Sequence, residues 1–177
     1  MVNYLIIKRY SSPYGDLLLG SCLGKLCLCD WQEASHRMSV DGRLCRALKA
    51  RYVEGISPVI ENAIAQLDEY FMGHRTNFDL PFMMVGTDFQ KSVWTVLESI
   101  PYGTTTTYSA VAHSIERPKA VRAVANAIGA NPMSIIVPCH RVVGNDMSMT
   151  GYAGGITVKR QLLELESPSL FSPLRVK

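Results

Sequence analysis

The first thirty residues alternate short apolar runs with residues that favour turns. The apolar runs cover residues 4–10, 17–21 and 26–31, and turn formers occupy residues 12–15 and 24–25. Runs of this length, separated by Ser, Pro and Gly, are typical of strands joined by tight turns. The beginning of the chain therefore predicts a small antiparallel meander.

Helical spacing follows the strand pattern. Residues 43–52 are interpreted as one possible helix, and a better marked helix begins at Ser57. Ser57 suits the N-cap position, Pro58 suits the first helical position, and Gly73 is placed to end the helix. The apolar positions repeat with the period of a helix face; they are Ile60, Ile64, Leu67 and Phe71.

Residues 80–82 (Leu-Pro-Phe) predict a link to a second part of the chain. Soon after them, Thr87 and Gln90 have the spacing of a capping box, which marks a helix N-terminus. The helix that follows should stop before Pro101. Its apolar face is predicted from Phe89, Val93, Val96, Leu97 and Ile100.

Two shorter helices are predicted over residues 108–115 and 119–128, with a tight turn at 116–118 between them. This arrangement is a helix-turn-helix candidate. In the second helix, the core face is predicted from Val121, Val124, Ala125 and Ile128, and the opposite face from Arg122, Ala123, Asn126 and Ala127. Because the side chains around Arg122 are small, this face would let the helix approach another surface closely. A solvated arginine on an Ala-rich helix remains an equally good interpretation.

The rest of the chain predicts a short buried strand or extended run at 134–137, a glycine-rich loop at 144–155 and a closing helix at 156–166. The expected fold class is α/β. Residues 1–80 would form an α+β domain of structural role with a small antiparallel sheet. Residues 85–167 would form a mostly helical domain that contains the helix-turn-helix, and residues 168–177 a loose tail.

Composition narrows the class of protein. Of 177 residues, 47% are hydrophobic and 19% charged, which is enough apolar material for a core and too little polarity for disorder. No apolar run reaches the ~18 residues that span a bilayer, and no secretion signal is recognisable. The five cysteines, an odd number, fit reduced thiols inside a cell. We expect a soluble monomer in the cytoplasm, or in the nucleus of a eukaryote. The net charge of +3 is weak support for a nucleic-acid partner.

One cysteine has neighbours suited to chemistry. Cys139 is followed by His140 and Arg141, and a nucleophilic cysteine needs neighbours that lower its pKa from about 8.5. The other four cysteines are interpreted as packing. Cys27 and Cys29 with His36 suggest zinc, but their alternation is typical of a strand and no second ligand pair follows. We therefore expect no metal and no cofactor.

The neighbourhood of Cys139 resembles a known family. The motifs occur in one order: IPYGTTTTY (100–108), RP (117–118), VRAV (121–124), NP (131–132), PCHRV (138–142) and GYAGG (151–155). Together they resemble the O6-alkylguanine-DNA alkyltransferases, also called methylated-DNA–protein-cysteine methyltransferases. The resemblance is specific over residues 85–166 and loose before them.

The resemblance implies a function and a set of roles. The partner would be double-stranded DNA that contains O6-alkylguanine, and Cys139 would accept the alkyl group irreversibly, once per protein molecule. His140 would take the thiol proton through a water, and Glu166 would polarise His140. Asn131 would tie the helix-turn-helix to the active-site segment, and Tyr108 would protonate the leaving guanine. Arg122 is implied as an intercalating finger. Further DNA contacts are expected from Ala120, Ala123, Ala127 and Tyr108, and the guanine pocket from Tyr152, Ala153 and Val142.

These implied roles agree with elementary chemistry, since an alkyl carbon inside a stacked duplex is reached only after the nucleotide is turned out. Three alternatives remain open. An alkyltransferase-like binding protein would lack the acceptor cysteine, and the presence of Cys139 argues against this alternative. A Cys-His hydrolase would need an orienting Asp or Asn and an oxyanion hole. A plain helix-turn-helix regulator would need side chains that read bases, and the exposed face of the second helix has few of them.

Overall fold

The computed structural model describes residues 2–171 and begins with the predicted meander. Strands β1 (Asn3–Ser12), β2 (Gly15–Cys22) and β3 (Lys25–Trp31) pair in antiparallel order. Helix α1 (Arg37–Leu48) and strand β4 (Ala50–Glu54) follow. Strand β4 pairs with β1 in parallel, so the sheet has the order β3-β2-β1-β4 and is mixed rather than antiparallel.

The prediction of a helix over residues 43–52 was wrong at both ends. Helix α1 begins at Arg37 and ends at Leu48, and Lys49 adopts a left-handed backbone conformation with φ of 48°. This residue reverses the chain, and residues 50–54 then pair with the distant β1. A strand whose partner lies more than forty residues away leaves no signal at short range, which explains the error.

Helix α2 (Pro58–Phe71) confirms its predicted boundaries. The Ser57 hydroxyl accepts a hydrogen bond from the amide of Ile60 at 3.4 Å. At the other end, Gly73 has φ of 74°, and its amide donates to the Tyr70 carbonyl. The next amide, of His74, donates to the Glu69 carbonyl at 2.8 Å. This pair of bonds is a Schellman motif, which needs a left-handed residue and so favours glycine.

The C-terminal part contains mostly helices. They are α3 (Asp88–Glu98), α4 (Tyr108–Ser114), α5 (Val121–Gly129), α6 (Ile156–Glu166) and the short α7 (Pro168–Phe171). Strands β5 (Thr106–Thr107) and β6 (Val142–Val143) form a two-stranded parallel sheet. The predicted capping box at Thr87 and Gln90 is present, and α4 with α5 confirms the helix-turn-helix pattern.

Two local predictions in this part were wrong. Residues 134–137 form buried turns rather than a strand, since the Val137 amide bonds back to the Met133 carbonyl at 2.8 Å. The expected tail begins with helix α7 instead of loose chain, and residues 172–177 lie outside the described part. The α/β class itself is confirmed.

One hydrophobic cluster includes side chains from both parts of the chain. Leu17 and Leu19 of the sheet belong to it together with Trp94 of α3 and Leu162 of α6, and so does Cys139. The division into domains at residues 80–85 stays a proposal, because the two parts share this core. Within residues 2–171, no helix combines the length and the apolar character that crossing a membrane requires.

Candidate active site

Cys139 begins a 3₁₀ turn, Cys139–Arg141, which follows the buried turns of residues 131–138. The residue is 5% exposed. Asn131 braces the segment before it, because its amide nitrogen donates to the Val137 carbonyl at 2.8 Å and its amide oxygen accepts from the Met133 amide at 2.9 Å. The chain that directly follows α5 is thus connected to the backbone that positions the thiol.

Glu166, at the end of α6, is the centre of a buried polar cluster. Its carboxylate accepts from His140 Nε2 at 2.7 Å and from Arg141 Nε at 2.8 Å. The Tyr70 hydroxyl donates to it at 2.7 Å, and the Gly103 amide at 3.2 Å. Every one of these donors comes from a different stretch of chain, apart from the adjacent pair His140 and Arg141. The cluster therefore fixes the imidazole in one orientation.

The protonation states in this cluster follow from burial and charge. Burial alone would raise the pKa of Glu166, but the hydrogen bonds from His140 and Arg141 and the charge of Arg141 outweigh it and hold that pKa well below its usual range. Burial lowers the pKa of His140, and this effect exceeds the opposing attraction of Glu166. A neutral His140 that donates from Nε2 to a carboxylate has its lone pair on Nδ1. Nδ1 is buried and has no hydrogen-bond partner among the described residues, which leaves it able to accept a proton.

The expectation that its neighbours lower the pKa of Cys139 was wrong. Burial raises that pKa to about 11, although the hydrogen bond from Asn131 and the charge of Lys159 act against it. The physical reason is that His140 is neutral and Arg141 is paired with Glu166, so neither offers a free positive charge to the sulfur. The resting thiol is protonated at neutral pH and needs a base during attack.

Lys159 of α6 is fully buried and links two segments of the site. Its ammonium group donates to the carbonyls of Val142 at 2.6 Å and Thr150 at 3.0 Å. Burial lowers the pKa of this lysine to about 8. The Tyr108 hydroxyl donates to the same Thr150 carbonyl at 3.0 Å. The side chain of Val142 lies in the core at 0% exposure, so the structure does not bring it to the groove where the sequence placed it.

An open groove of about 740 Å³ lies between the helix-turn-helix and the glycine-rich loop. Its lining includes Tyr108 and Arg122 of the helix-turn-helix together with Tyr152 and Ala153 of the loop. Cys139 does not itself line the groove, but the ring of the adjacent His140 lies 6.4 Å, between centroids, from the Tyr152 ring that does. The structure thus brings four of the sequence-predicted residues together beside the thiol.

Helix α5 presents Arg122, Ala123 and Asn126 to solvent, and Ala120 is partly exposed at its N-terminal end. Ala127 does not belong to this face, contrary to the prediction. It is 3% exposed, and its carbonyl accepts from Trp94 Nε1 at 2.8 Å. The buried stripe follows the spacing i, i+3, i+4 through Val124, Ala127 and Ile128, and is therefore shifted from the one drawn from the sequence. Ala127 packs in the core and cannot allow a close approach to DNA.

Within residues 2–171, no group of three or more His, Cys, Asp and Glu side chains could hold a metal ion. Cys27 and Cys29 are buried in β3, and His36 pairs with Asp30 at 3.0 Å.

Comparisons with known proteins assign this arrangement to a family. Residues 88–168 match the model described as 6-O-methylguanine DNA methyltransferase, DNA binding domain. Residues 5–84 match the model of the ribonuclease-like domain of the same proteins. A methylated-DNA–protein-cysteine methyltransferase of Methanosarcina barkeri is 42% identical over 159 residues, which are 90% of this chain and 95% of that protein. The chain belongs to the O6-alkylguanine-DNA alkyltransferase family.

Solved structures of the alkyltransferase family agree with this assignment. The Mycobacterium tuberculosis OGT in complex with DNA aligns with a TM-score of 0.80 at 39% identity, covering 92% of this chain and 93% of that one. The N-terminal part, where the resemblance from sequence was loose, therefore also matches the alkyltransferase fold.

Sequence reasoning missed several residues of this alkyltransferase site. Tyr70, Arg141 and Lys159 hold the polar groups around the thiol, and Trp31 contacts Tyr152. Arg141 carried a usable signal, because a charged residue in an otherwise apolar stretch often finds a buried partner, whereas Lys159 stands beside Arg160 and Gln161 and carried none. Trp31 and Tyr70 carried none, since each lies in a pattern that a strand or helix core explains.

Proposed function

We propose that this chain repairs DNA by transferring an alkyl group from O6 of a damaged guanine to Sγ of Cys139. The observation that carries the proposal is a buried thiol followed directly by neutral His140, whose Nε2 is fixed by Glu166 and whose Nδ1 is unpaired among the described residues. Relatives named methylated-DNA–protein-cysteine methyltransferase support the same reaction.

In the proposed step, the sulfur–carbon bond forms as the bond between carbon and O6 breaks. The thiol proton passes through a water to His140 Nδ1, which becomes an imidazolium paired with Glu166. The leaving guanine takes a proton from the Tyr108 hydroxyl, whose pKa is raised mainly by burial, so that it holds its proton until then. A thioether is a poor leaving group, and the protein acts once.

Binding requires the nucleotide to leave the duplex, at a cost of a few kcal/mol. Arg122 lies on the rim of the groove with the small Ala123 beside it on the exposed face of α5. A helix with such a face can enter the minor groove while its long side chain fills the gap in the base stack. The extruded base would lie between Tyr108 and Tyr152.

The proposal is tested by incubating the protein with an oligonucleotide duplex that contains O6-methylguanine. We expect the peptide that contains Cys139 to gain the mass of one methyl group, with one equivalent transferred and no further turnover. Mass spectrometry of the digested protein measures this, and the peptide that contains Cys45 serves as the internal control. An unmodified Cys139, or repeated turnover, would reject the proposal and would favour a binding protein or a hydrolase.

Replacing Arg122 with alanine should slow repair of duplex DNA by about tenfold or more, because the extrusion cost is no longer offset. Reaction with free O6-benzylguanine should change less than twofold. Single-turnover rates on the two substrates measure the difference. Arg46→Ala, which removes an equal exposed charge from α1, is the matched control. Equal losses of Arg122→Ala on both substrates would contradict the finger role.

The partner in this proposal is double-stranded DNA that carries O6-alkylguanine. The monomeric state and the cytoplasmic or nuclear location stay predictions. Size-exclusion chromatography and cell fractionation respectively test them.

A further inference from the structure

Trp31 of strand β3 forms a direct contact with the glycine-rich loop of the site. Its indole Nε1 donates a hydrogen bond to the Tyr152 hydroxyl at 2.9 Å. The two rings meet edge to face with centroids 6.3 Å apart. Trp31 is 4% exposed, so the bond is largely shielded from water. The contact joins residues 121 positions apart in the chain.

The indole also packs on the backbone of the same loop. A Cβ atom added to Gly154 would lie 2.8–2.9 Å from three atoms of the Trp31 ring, closer than packed carbon atoms approach. The ring therefore occupies the space beside Gly154 and limits how far residues 151–155 can move. Two kinds of contact, one polar and one steric, hold this loop against β3.

Strand β3 is attached in the same way to the segment that leads to the thiol. The Cys29 amide donates to the Pro132 carbonyl at 2.9 Å. The buried Asp30 carboxylate accepts from the Ser134 hydroxyl at 3.0 Å. One strand of the N-terminal part thus contacts both stretches of chain that flank Cys139, the turns before it and the loop after it.

We propose that Trp31 is a positioning residue for alkyl transfer, which acts by holding the Tyr152 ring and its loop through the 2.9 Å hydrogen bond and the contact with Gly154. This inference rests on the proposed function. It gives the N-terminal part a role in the reaction, in place of the purely structural role that the sequence predicted.

The position of Tyr152 matters because its ring is close to the reacting groups. Its centroid lies 6.4 Å from that of His140, and it lines the groove where the extruded base would lie. Without the indole donor, the Tyr152 hydroxyl loses its 2.9 Å hydrogen bond and the ring is held less firmly in the wall of the groove. Small displacements of a wall residue slow a reaction that depends on alignment.

Trp31→Phe tests the inference, because phenylalanine keeps an aromatic ring and removes the Nε1 donor. We expect the single-turnover rate at saturating O6-methylguanine duplex to fall about fivefold to tenfold, with affinity for the duplex changed less than twofold. In the Tyr152→Phe background, where the acceptor hydroxyl is absent, Trp31→Phe should slow transfer clearly less than it does in the wild-type background, because only the contact with Gly154 is lost there. A larger loss in the first background is not expected of a general loss of stability.

Tyr10→Phe is the matched control, since it removes another aromatic hydrogen bond of the N-terminal part, from the Tyr10 hydroxyl to Asp68 at 2.7 Å. This variant should react at the wild-type rate. If wild-type protein is methylated at Cys139, two results would overturn the positioning role. They are a wild-type rate for Trp31→Phe and the same slowing in both backgrounds. Wild-type protein that is not methylated would overturn the proposed function, and this inference with it.

Gly154→Ala provides a second variant if Trp31→Phe does not fold. Its added methyl group pushes against the indole without removing any hydrogen-bonding side chain. We expect transfer to slow at least fivefold. A Gly154→Ala protein that repairs at the full rate would contradict the role of the contact.

Discussion

Cys139→Ser should abolish alkyl transfer and leave binding to alkylated DNA unchanged. A serine hydroxyl is a far weaker nucleophile than a thiolate, and neutral His140 is not a strong enough base to deprotonate it to a useful extent. The substitution replaces one buried atom by a smaller one, and the residues that line the groove stay in place. Gel-shift titration measures binding, and transfer of radiolabelled methyl from the duplex measures the reaction.

Cys45→Ser is the control for this experiment, because Cys45 lies on α1 and is partly exposed. It should transfer at the wild-type rate. Loss of DNA binding in Cys139→Ser would mean that the thiol is structural. Residual transfer to another residue would mean that Cys139 is not the acceptor.

The raised pKa of Cys139 changes how the reaction is understood. The sequence suggested a thiolate made ready by His140 and Arg141, but the fold commits Arg141 to Glu166 and keeps His140 neutral. The sulfur is therefore protonated until a base removes the proton. A protonated resting thiol also protects a protein that can react only once, since the thiolate is the form that oxidants attack.

Local signals were enough to predict most helices. Ser57, Gly73 and the pair Thr87 and Gln90 each determine a helix end through bonds within a few residues, so the sequence contains the whole interaction. Strand β4 was missed because its hydrogen bonds are made to β1, far along the chain. The face of α5 was misplaced for a similar reason, since Trp94 of another helix decides that Ala127 is buried.

The candidate site divides in the same way. Motifs close to Cys139 identified the thiol, His140 and the loop that contains Tyr152. The residues that hold these groups come from distant elements, as Tyr70 and Trp31 do through bonds that span 96 and 121 residues. Only the packed core brings such pairs together, and a single sequence does not show which apolar-patterned residue has a polar partner.

Glu166→Ala should destabilise the fold by about 3–5 kcal/mol and slow alkyl transfer severely. Removing one partner of a buried ion pair leaves the other charge without compensation, and here Arg141 is 6% exposed. The Tyr70 hydroxyl and His140 Nε2 lose their acceptor as well. Urea unfolding at pH 7 measures the stability, and the single-turnover assay measures the rate. Glu164→Ala, on the same helix and without a hydrogen bond among the described residues, should change stability by less than about 1 kcal/mol.

The pH dependence separates the charge of Glu166 from its packing. Because the folded protein holds the pKa of Glu166 below its unfolded value, the carboxylate contributes stability that is fully present above the unfolded pKa of about 4.3 and is lost as the pH falls below it. The difference in unfolding free energy between wild type and Glu166→Gln should therefore shrink on acidification below that value. Glutamine keeps the size of the side chain, so a difference that stays constant with pH would mean that the charge does not hold the cluster together, and that Glu166 acts through shape alone.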